Sequence, residues 1–507
     1  MAKYGFKSNT VAPVQNPYVG GEMYEVSDAA TRLIMTVGSA FFNEPQYYGE
    51  KSDIAAHIIA TSVEIANGKN PEDLLIIARW ARDEMNMRTT PMVLLAIAAH
   101  EIPTKEFTRR YIRASVKRAD DILQIFAASL AMFGKPLPNS LRRGLSDAIA
   151  KLTQWEVFRY KGTAHPNFKD VLKMVGRSDG YPLDKKTYDA IMNDTVDTTV
   201  QASTRKEVAI AESFDSAKDA ILEGKLPWEP VVSKFGSTKE VWEFLLENEL
   251  VGYMAMLRNL RNFEQAGISS AHWKLVRLFL IGGAGKSRQL PFRYVSAYFS
   301  VTGNLTRTIV AEALDAVLKN GNYLLDGKTA VLVDVSGSMG KPVSEKSEIT
   351  IRAAAGALAG IVTKSADADV VCFHTTADYL KIDGTMSVMA IVDKILRHGS
   401  GGTYAEKAIE ALNKHYDRIV LLSDMQTYGN SVQSELDSYE RKFGKTKFYS
   451  VNMGGYEVSP FSEYRKDVVL LGGWSEKIVD YIKEYENPRV LPAIEVIREK
   501  YGLGKLT

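Results

Sequence analysis

Asp334-Val335-Ser336-Gly337-Ser338 sets one carboxylate and two hydroxyls at alternate positions, directly after the apolar run Val331-Leu332-Val333. Three oxygens delivered by one turn can converge on a hard cation. Mg²⁺ is the expected ion, because it takes oxygen ligands in octahedral geometry and keeps several waters. The plain alternative is a Ser/Gly turn in which Asp334 caps a following helix. Two later segments weigh against it. Ser400-Gly401-Gly402-Thr403 is a glycine-rich loop with a hydroxyl, and Ile419-Val420-Leu421-Leu422-Ser423-Asp424 is a buried-strand pattern ending in an acid. A hydroxyl and a carboxylate on two further loops complete an oxygen shell. Such a site leaves one coordination position open, which a partner carboxylate or phosphate could fill.

In order and spacing, Asp334, Ser336, Ser338, Thr403 and Asp424 resemble the metal-ion-dependent adhesion site of von Willebrand factor A (vWA) domains, and the resemblance implies that these five residues surround the metal, some directly and some through water. The rhythm of the surrounding chain agrees. From about residue 328, apolar runs of strand length (330–335, 369–373, 418–423, 447–453, 468–471) alternate with helical stretches (348–365, 386–396, 404–415, 431–442, 474–486). Such alternation predicts a doubly wound, mostly parallel sheet with ligands at the carboxyl ends of its strands.

The first part of the chain has a different period. From about 27 to 319, apolar residues recur at three- and four-residue spacing, with helices expected over 53–66, 71–85, 91–100, 105–117 and 119–132. Successive helix pairs punctuated by Pro, Gly and Asn suggest a HEAT-like helical-repeat array. The expected organisation is a helical-repeat domain over 1–325 followed by a vWA domain over 326–507.

Bulk properties narrow the class. With 507 residues, two or three domains are expected, and the formal net charge of +2 carries no global polyanion signal. The single cysteine, Cys372, lies in an apolar run and rules out an intrachain disulfide, which fits a reducing compartment. The opening MAKYGFKSNT lacks an apolar stretch, and no apolar run reaches about 18 residues, so neither a secretory signal nor a membrane span is expected. A cytoplasmic location follows, and extracellular adhesion is disfavoured. No catalytic constellation is readable, so an enzyme is not expected. Gly282-Gly283-Ala284-Gly285-Lys286-Ser287 imitates a phosphate loop, but Leu280 stands where its first glycine belongs.

Several words in the helical part carry a second resemblance. They include Met87-Arg88-Thr89-Thr90-Pro91-Met92, Leu137-Pro138-Asn139-Ser140-Leu141-Arg142-Arg143-Gly144-Leu145, Phe168-Lys169-Asp170-Val171-Leu172-Lys173 and Leu290-Pro291-Phe292-Arg293-Tyr294. In this order, ahead of a vWA domain, they resemble the Ro ribonucleoprotein autoantigen family, defined by the TROVE module. The resemblance implies a ring of HEAT-like repeats joined by the vWA domain. It also implies binding of small noncoding Y or Y-like RNA on the outer surface, entry of misfolded or single-stranded RNA 3′ ends into the hole, and an RNA-processing nuclease as partner. A monomer is expected. The rival function is a Mg²⁺-dependent protein-docking scaffold without intrinsic RNA specificity.

Charge placement gives partial independent support for RNA. Residues 101–180 carry fifteen Lys/Arg against eight Asp/Glu, a local surplus of the kind that phosphate binding requires. Arg118, Arg142, Arg143, Lys161, Lys169, Lys173 and Arg177 are the candidates there. Lys169, Lys173 and Arg177 would share a helix face. Animal members of the family place a histidine downstream of the Lys169–Lys173 word; here Gly176 and Arg177 follow and His165 precedes it. His165 is kept as a candidate, but the animal mode of Y RNA recognition is not expected. A second group, Arg258, Arg261, Arg288 and Arg293, lies among Tyr253, Phe292, Tyr294 and Tyr298, which offer either stacking surfaces for bases or repeat-core packing.

Overall fold

The computed structural model describes residues 14–15, 22–25, 28–39, 51–84, 87–152, 156–157, 166–175, 185–193, 200–287, 289–320, 324–343, 347–428, 431–454, 458–462, 465, 467–473, 477–486 and 493–505. The chain divides into two compact units. One comprises residues 1–107 and 323–507, the other residues 108–322.

Among the described residues of the first unit, two sheets form. β1 (Val14–Gln15), β2 (Glu22–Glu25) and β8 (Val458–Ser459) make a small antiparallel sheet. The larger sheet has the order β5-β4-β3-β6-β7-β9. It is built from β3 (Lys328–Asp334), β4 (Asp367–Phe373), β5 (Ala377–Leu380), β6 (Arg418–Ser423), β7 (Lys447–Asn452) and β9 (Val468–Gly472). All neighbours are parallel except β5, an antiparallel edge strand returning from β4. The expected doubly wound sheet is therefore present.

Helices cover both faces of this sheet, which is why its strands read as unbroken apolar runs. Ala330, Leu332, Val371, Phe373, Ile419 and Leu421 share a core with Ala405, Ala408, Ile409, Val432 and Leu436 of the helices Ala405–Glu410 and Val432–Phe443. The other helical layer includes Ile351–Ser365, which packs on β3 and β4. Cys372 is fully buried, and burial pushes its thiol up to about 12, so it stays protonated and unreactive.

The helices Ala29–Ser39, Lys51–Ala66, Glu72–Asp83 and Thr89–His100 belong to this same unit. Ala29–Ser39 packs on β9, and Ala493–Tyr501 packs on Glu72–Asp83. Arg498 donates to both oxygens of buried Asp73, Nε to Oδ1 at 2.6 Å and Nη2 to Oδ2 at 2.5 Å. Tyr501 and Lys500 both reach Glu84, and the Leu503 N–H donates to Glu72 at 2.8 Å.

The second unit is helical throughout its described residues. Its elements run through Ala119–Phe133, Asn139–Ile149, Phe168–Val175, Tyr253–Ala266, Ser270–Gly282, Pro291–Ser300 and Asn304–Asn320, among others. Gly283 and residues 284–286 form a turn and a short 3₁₀ helix with no strand before them, which agrees with rejecting a phosphate loop. Among the described residues, no helix is long and apolar enough to cross a membrane.

One clamp shows how neighbouring helices are joined. Glu264 accepts from the Thr302 N–H at 3.1 Å and the Gly303 N–H at 2.9 Å, at the start of Asn304–Asn320. Burial would raise this carboxyl, but hydrogen bonds from Thr306 and these two amides outweigh it and hold it below its usual range. Its stabilisation is thus present above the unfolded-state pKa and lost as pH falls through the lowered folded-state one. Glu264→Gln is expected to cost about 1 kcal/mol at pH 7, the value of a helix-terminal cap. Urea unfolding should show the wild-type advantage disappearing in acid.

Candidate cation site and nucleic-acid interface

The carboxyl ends of β3 and β6 hold four of the cation candidates, and Thr403 lies in a loop between the helices Val388–Arg397 and Ala405–Glu410 that bonds to the residue after β4. Asp334 ends β3 and is fully buried; Ser336, Ser338, Thr403 and Asp424 are also buried. Backbone bonds lock the loops together. Val335 N–H donates to Phe373 O at 2.9 Å, Gly337 N–H to Gly401 O at 3.2 Å, and Tyr404 N–H to His374 O at 3.1 Å. The Thr403 carbonyl accepts from the Tyr428 N–H at 2.8 Å and from Thr427 Oγ1 at 3.3 Å. The three ligand-bearing segments therefore form one hydrogen-bonded cluster.

Within it, Asp334 Oδ1 accepts the Ser336 N–H at 2.8 Å, and Ser336 Oγ lies 3.3 Å from Ser338 Oγ. Asp424 Oδ1 accepts the Gln426 N–H at 3.2 Å, while its Oδ2 is buried without a hydrogen-bond partner. Burial raises both carboxyls. Asp424 is pushed up to about 7 by burial and then by the Asp334 carboxylate, against the pull of Ser338 and the Gln426 amide. A buried pair of acids with an orphaned oxygen is a donor set short of a positive charge. A divalent cation held among Asp334, Asp424 and the three hydroxyls fits that deficit.

Three contributors to this cluster went unread in the sequence. Ser423 donates from Oγ to Asp334 Oδ2 at 2.6 Å and accepts the Met425 N–H at 3.0 Å. Met425 adopts φ of +65°, a left-handed conformation that costs a non-glycine residue roughly 1–2 kcal/mol. It turns the chain sharply after Asp424. Arg352, in the first turn of Ile351–Ser365, donates from Nη2 to Val335 O, to Ser336 O at 3.1 Å and to Ser400 Oγ at 3.0 Å. A strand-terminal Ser before Asp was a readable signal for Ser423; Arg352 lies 16 residues from Ser336 and carried none. Arg352→Met removes the Nη2 donor that bridges both loops. A loss of about 1–3 kcal/mol is expected in urea unfolding, since buried carbonyls lose their donor.

The RNA candidates divide into three sets. Lys161, His165, Arg177 and Arg288 lie outside the described residues. Arg118 and Arg142 are engaged within the protein: Arg118 Nε bonds Asp120 at 2.9 Å, and Arg142 Nη2 donates to Val175 O at 3.2 Å at the end of Phe168–Val175. Arg109, part of the same basic surplus, forks onto Asp147 at 2.8 and 3.2 Å. Arg143, Lys173, Arg258, Arg261 and Arg293 are exposed, and Lys169 is half-buried one turn before Lys173. Arg258 and Arg261 share a face of Tyr253–Ala266, which packs on the helix carrying Arg293.

The aromatics divide too. Tyr294 is fully buried and its hydroxyl lies 2.8 Å from that of Tyr253, which donates to Leu280 O at 2.6 Å. These two are packing residues. Half-buried Tyr298 lies under the Arg307 guanidinium, 5.5 Å from its ring centre.

Comparison with known proteins bears on the whole chain. The TROVE domain model matches residues 22–216 and 196–316, and the Ro60 vWA domain model matches residues 328–485. Telomerase protein component 1 of Rattus norvegicus is 27% identical over 292 residues, 46% of this chain and 11% of that protein. The Mus musculus protein of that name is 25% identical over 313 residues, 50% of this chain and 12% of that protein. The match thus spans about a tenth of the length of these relatives. The crystal structure of the Deinococcus radiodurans Ro (RSR) protein superposes with a TM-score of 0.64 at 18% identity, covering 94% of this chain and 99% of that one; it supports the fold. On the two family matches, the chain belongs to the Ro/TROVE family of RNA-binding proteins, with a TROVE domain followed by a C-terminal vWA domain.

Proposed function

We propose that this protein is a cytoplasmic, monomeric ribonucleoprotein scaffold. It binds a small noncoding RNA of the Y or Y-like class and engages misfolded or single-stranded RNA 3′ ends, while its vWA domain holds Mg²⁺ through Asp334, Ser336, Ser338, Thr403 and Asp424. The observation that carries the RNA reading is the TROVE match across residues 22–316. The exposed cations Arg143, Lys173, Arg258, Arg261 and Arg293 support it by supplying phosphate contacts. An RNA-processing nuclease is the partner class, and catalysis is not assigned to this chain.

Filter binding of a hairpin RNA with a single-stranded 3′ tail, across a salt series, tests the reading. Affinity should fall steeply with salt as phosphate contacts release counterions. Arg143 and Lys173 stand on helices that pack together. Arg143→Ala with Lys173→Ala should weaken binding of unrelated tailed hairpins alike and reduce the logarithmic salt slope by about 2. Salt-insensitive binding, or none, would discard the RNA scaffold and favour the protein-docking alternative.

A further inference from the structure

Two tyrosines frame the cation site and have no part in the reading above. Tyr404 follows Thr403 directly in the chain, and the Tyr428 amide donates to the Thr403 carbonyl at 2.8 Å. Both rings are thereby anchored on the backbone of one candidate ligand. Their centroids are 6.2 Å apart, with planes inclined by only 29°. Gly402 lies against both, since a Cβ there would sit 3.2 Å from Tyr404 Cε2 and 3.7 Å from Tyr428 Cδ2. A side chain at 402 would crowd the Tyr404 ring and only touch that of Tyr428, so the glycine leaves Tyr404 its place. Tyr428 remains 46% exposed, although the loop residues around it, Thr403, Asp424, Gln426 and Thr427, are buried.

The rest of the rim supplies hydrogen-bonding groups. The Arg352 guanidinium lies between the Ser336 and Ser400 segments. The His374 and His398 rings are 5.9 Å apart on neighbouring loops, and Thr375, Ser400 and Gly401 are exposed. Asp334 faces the Arg352 guanidinium and Asp378 faces His398, whose pKa burial, His374 and Arg352 together hold below its ordinary value.

We propose that the open coordination position takes a phosphate of single-stranded RNA, with a base of that strand laid on the exposed ring of Tyr428. The proposal rests on the cation reading and names its ligand. Mg²⁺ sites built from one or two carboxylates are commonly completed by substrate phosphates, and Asp334 with Asp424 supplies two. An acidic side chain would satisfy the cation equally well. It would make no use of the exposed Tyr428 ring stacked on half-buried Tyr404, whereas a nucleotide carries both groups in one ligand. Stacking on a tyrosine accepts any base, so this contact would be indifferent to sequence.

The test uses the full chain, Mn²⁺ as a paramagnetic stand-in for Mg²⁺, and the pentanucleotide U5. Mn²⁺ binding is measured first by electron paramagnetic resonance on the wild type, Asp424→Ala, Tyr428→Ala and Tyr428→Phe. U5 is then added, and phosphorus hyperfine coupling to the bound Mn²⁺ is read. That signal reports phosphate at the metal and ignores U5 bound elsewhere. The expected result is coupling in the wild type and in Tyr428→Phe. Tyr428→Ala should bind Mn²⁺ normally yet need roughly tenfold more U5 to reach the same coupling, the loss expected for one stacked base. Mn²⁺ bound by the wild type without phosphorus coupling overturns the proposal and leaves the cation reading standing. So does displacement of a Mn²⁺-bound water by an aspartate-containing pentapeptide and not by U5, which would assign the site to a protein carboxylate. Mn²⁺ binding that is absent, or unaffected by Asp424→Ala, defeats the cation reading and this inference with it.

Discussion

Asp424→Ala should abolish the response of the vWA domain to divalent cations without unfolding it. Asp424 is 1% exposed, and its Oδ2 is buried without a hydrogen-bond partner. Its carboxyl is raised by burial and then by the Asp334 carboxylate beside it, while burial raises that of Asp334. In the metal-free protein, removing one of them relieves repulsion, so the variant should fold. In the wild type, Mg²⁺ at 100 times its dissociation constant adds about 2.7 kcal/mol to stability. At the scaling of a domain of this size, that is a rise of roughly 5–10 °C in the unfolding midpoint. Asp424→Ala should show no such rise. Thermal unfolding with Mg²⁺ and with a chelator measures both. An equal Mg²⁺ response in the two proteins would remove the metal from these five residues. RNA binding through the helical unit should survive the substitution, because the exposed cations assigned to it lie in a different unit.

Arg498→Met should be the most damaging single change at the carboxyl-terminal helix. Asp73 is 4% exposed, and Arg498 donates to both of its oxygens. Without that partner the carboxylate stays buried and uncompensated. Breaking a fully buried pair costs about 3–5 kcal/mol. The Arg498 side chain is 34% exposed, so water offsets part of that and about 2–3 kcal/mol is expected. The double variant Asp73→Leu with Arg498→Met should regain most of the loss, since an apolar pair leaves no charge stranded. Urea midpoints of the two single variants and the double variant decide it; additive losses would mean that the ion pair is not the link between these helices.

Most of the vWA fold was legible in the order of residues. Strands buried on both faces must be apolar at every position, so β6 appeared at its full extent, Arg418–Ser423, and β3, β4, β7 and β9 to within two residues at either end. Short elements were not legible. β1, β2 and β8 span two to four residues, too few to show a period, and β5 is an edge strand with a mixed burial pattern. Helix ends were misplaced where a cap decided them. Thr350 caps Ile351–Ser365 by accepting from the Ala353 N–H, so a helix expected from 348 starts later.

The RNA surface was the least legible part, for an electrostatic reason. A count of Lys and Arg does not separate cations facing solvent from those spent on carboxylates. Arg109, Arg118 and Arg142 are spent on Asp147, Asp120 and the Val175 carbonyl, whereas Arg143 and Lys173 are exposed. Nor could spacing reveal that residues 1–107 share a compact unit with the vWA domain. Asp73 and Arg498 are 425 positions apart, and a pairing at that distance leaves no trace in a local pattern.

Periodicity and residue type are local properties, so residue order carried the two rhythms of the chain and the oxygen-bearing residues at the ends of its strands. Folding alone sets which charges face solvent, which carboxylates are buried together, and that Ser423, Arg352, Tyr404 and Tyr428 join the cluster around Asp334. Burial and proximity are set by chain segments that meet only when the protein folds.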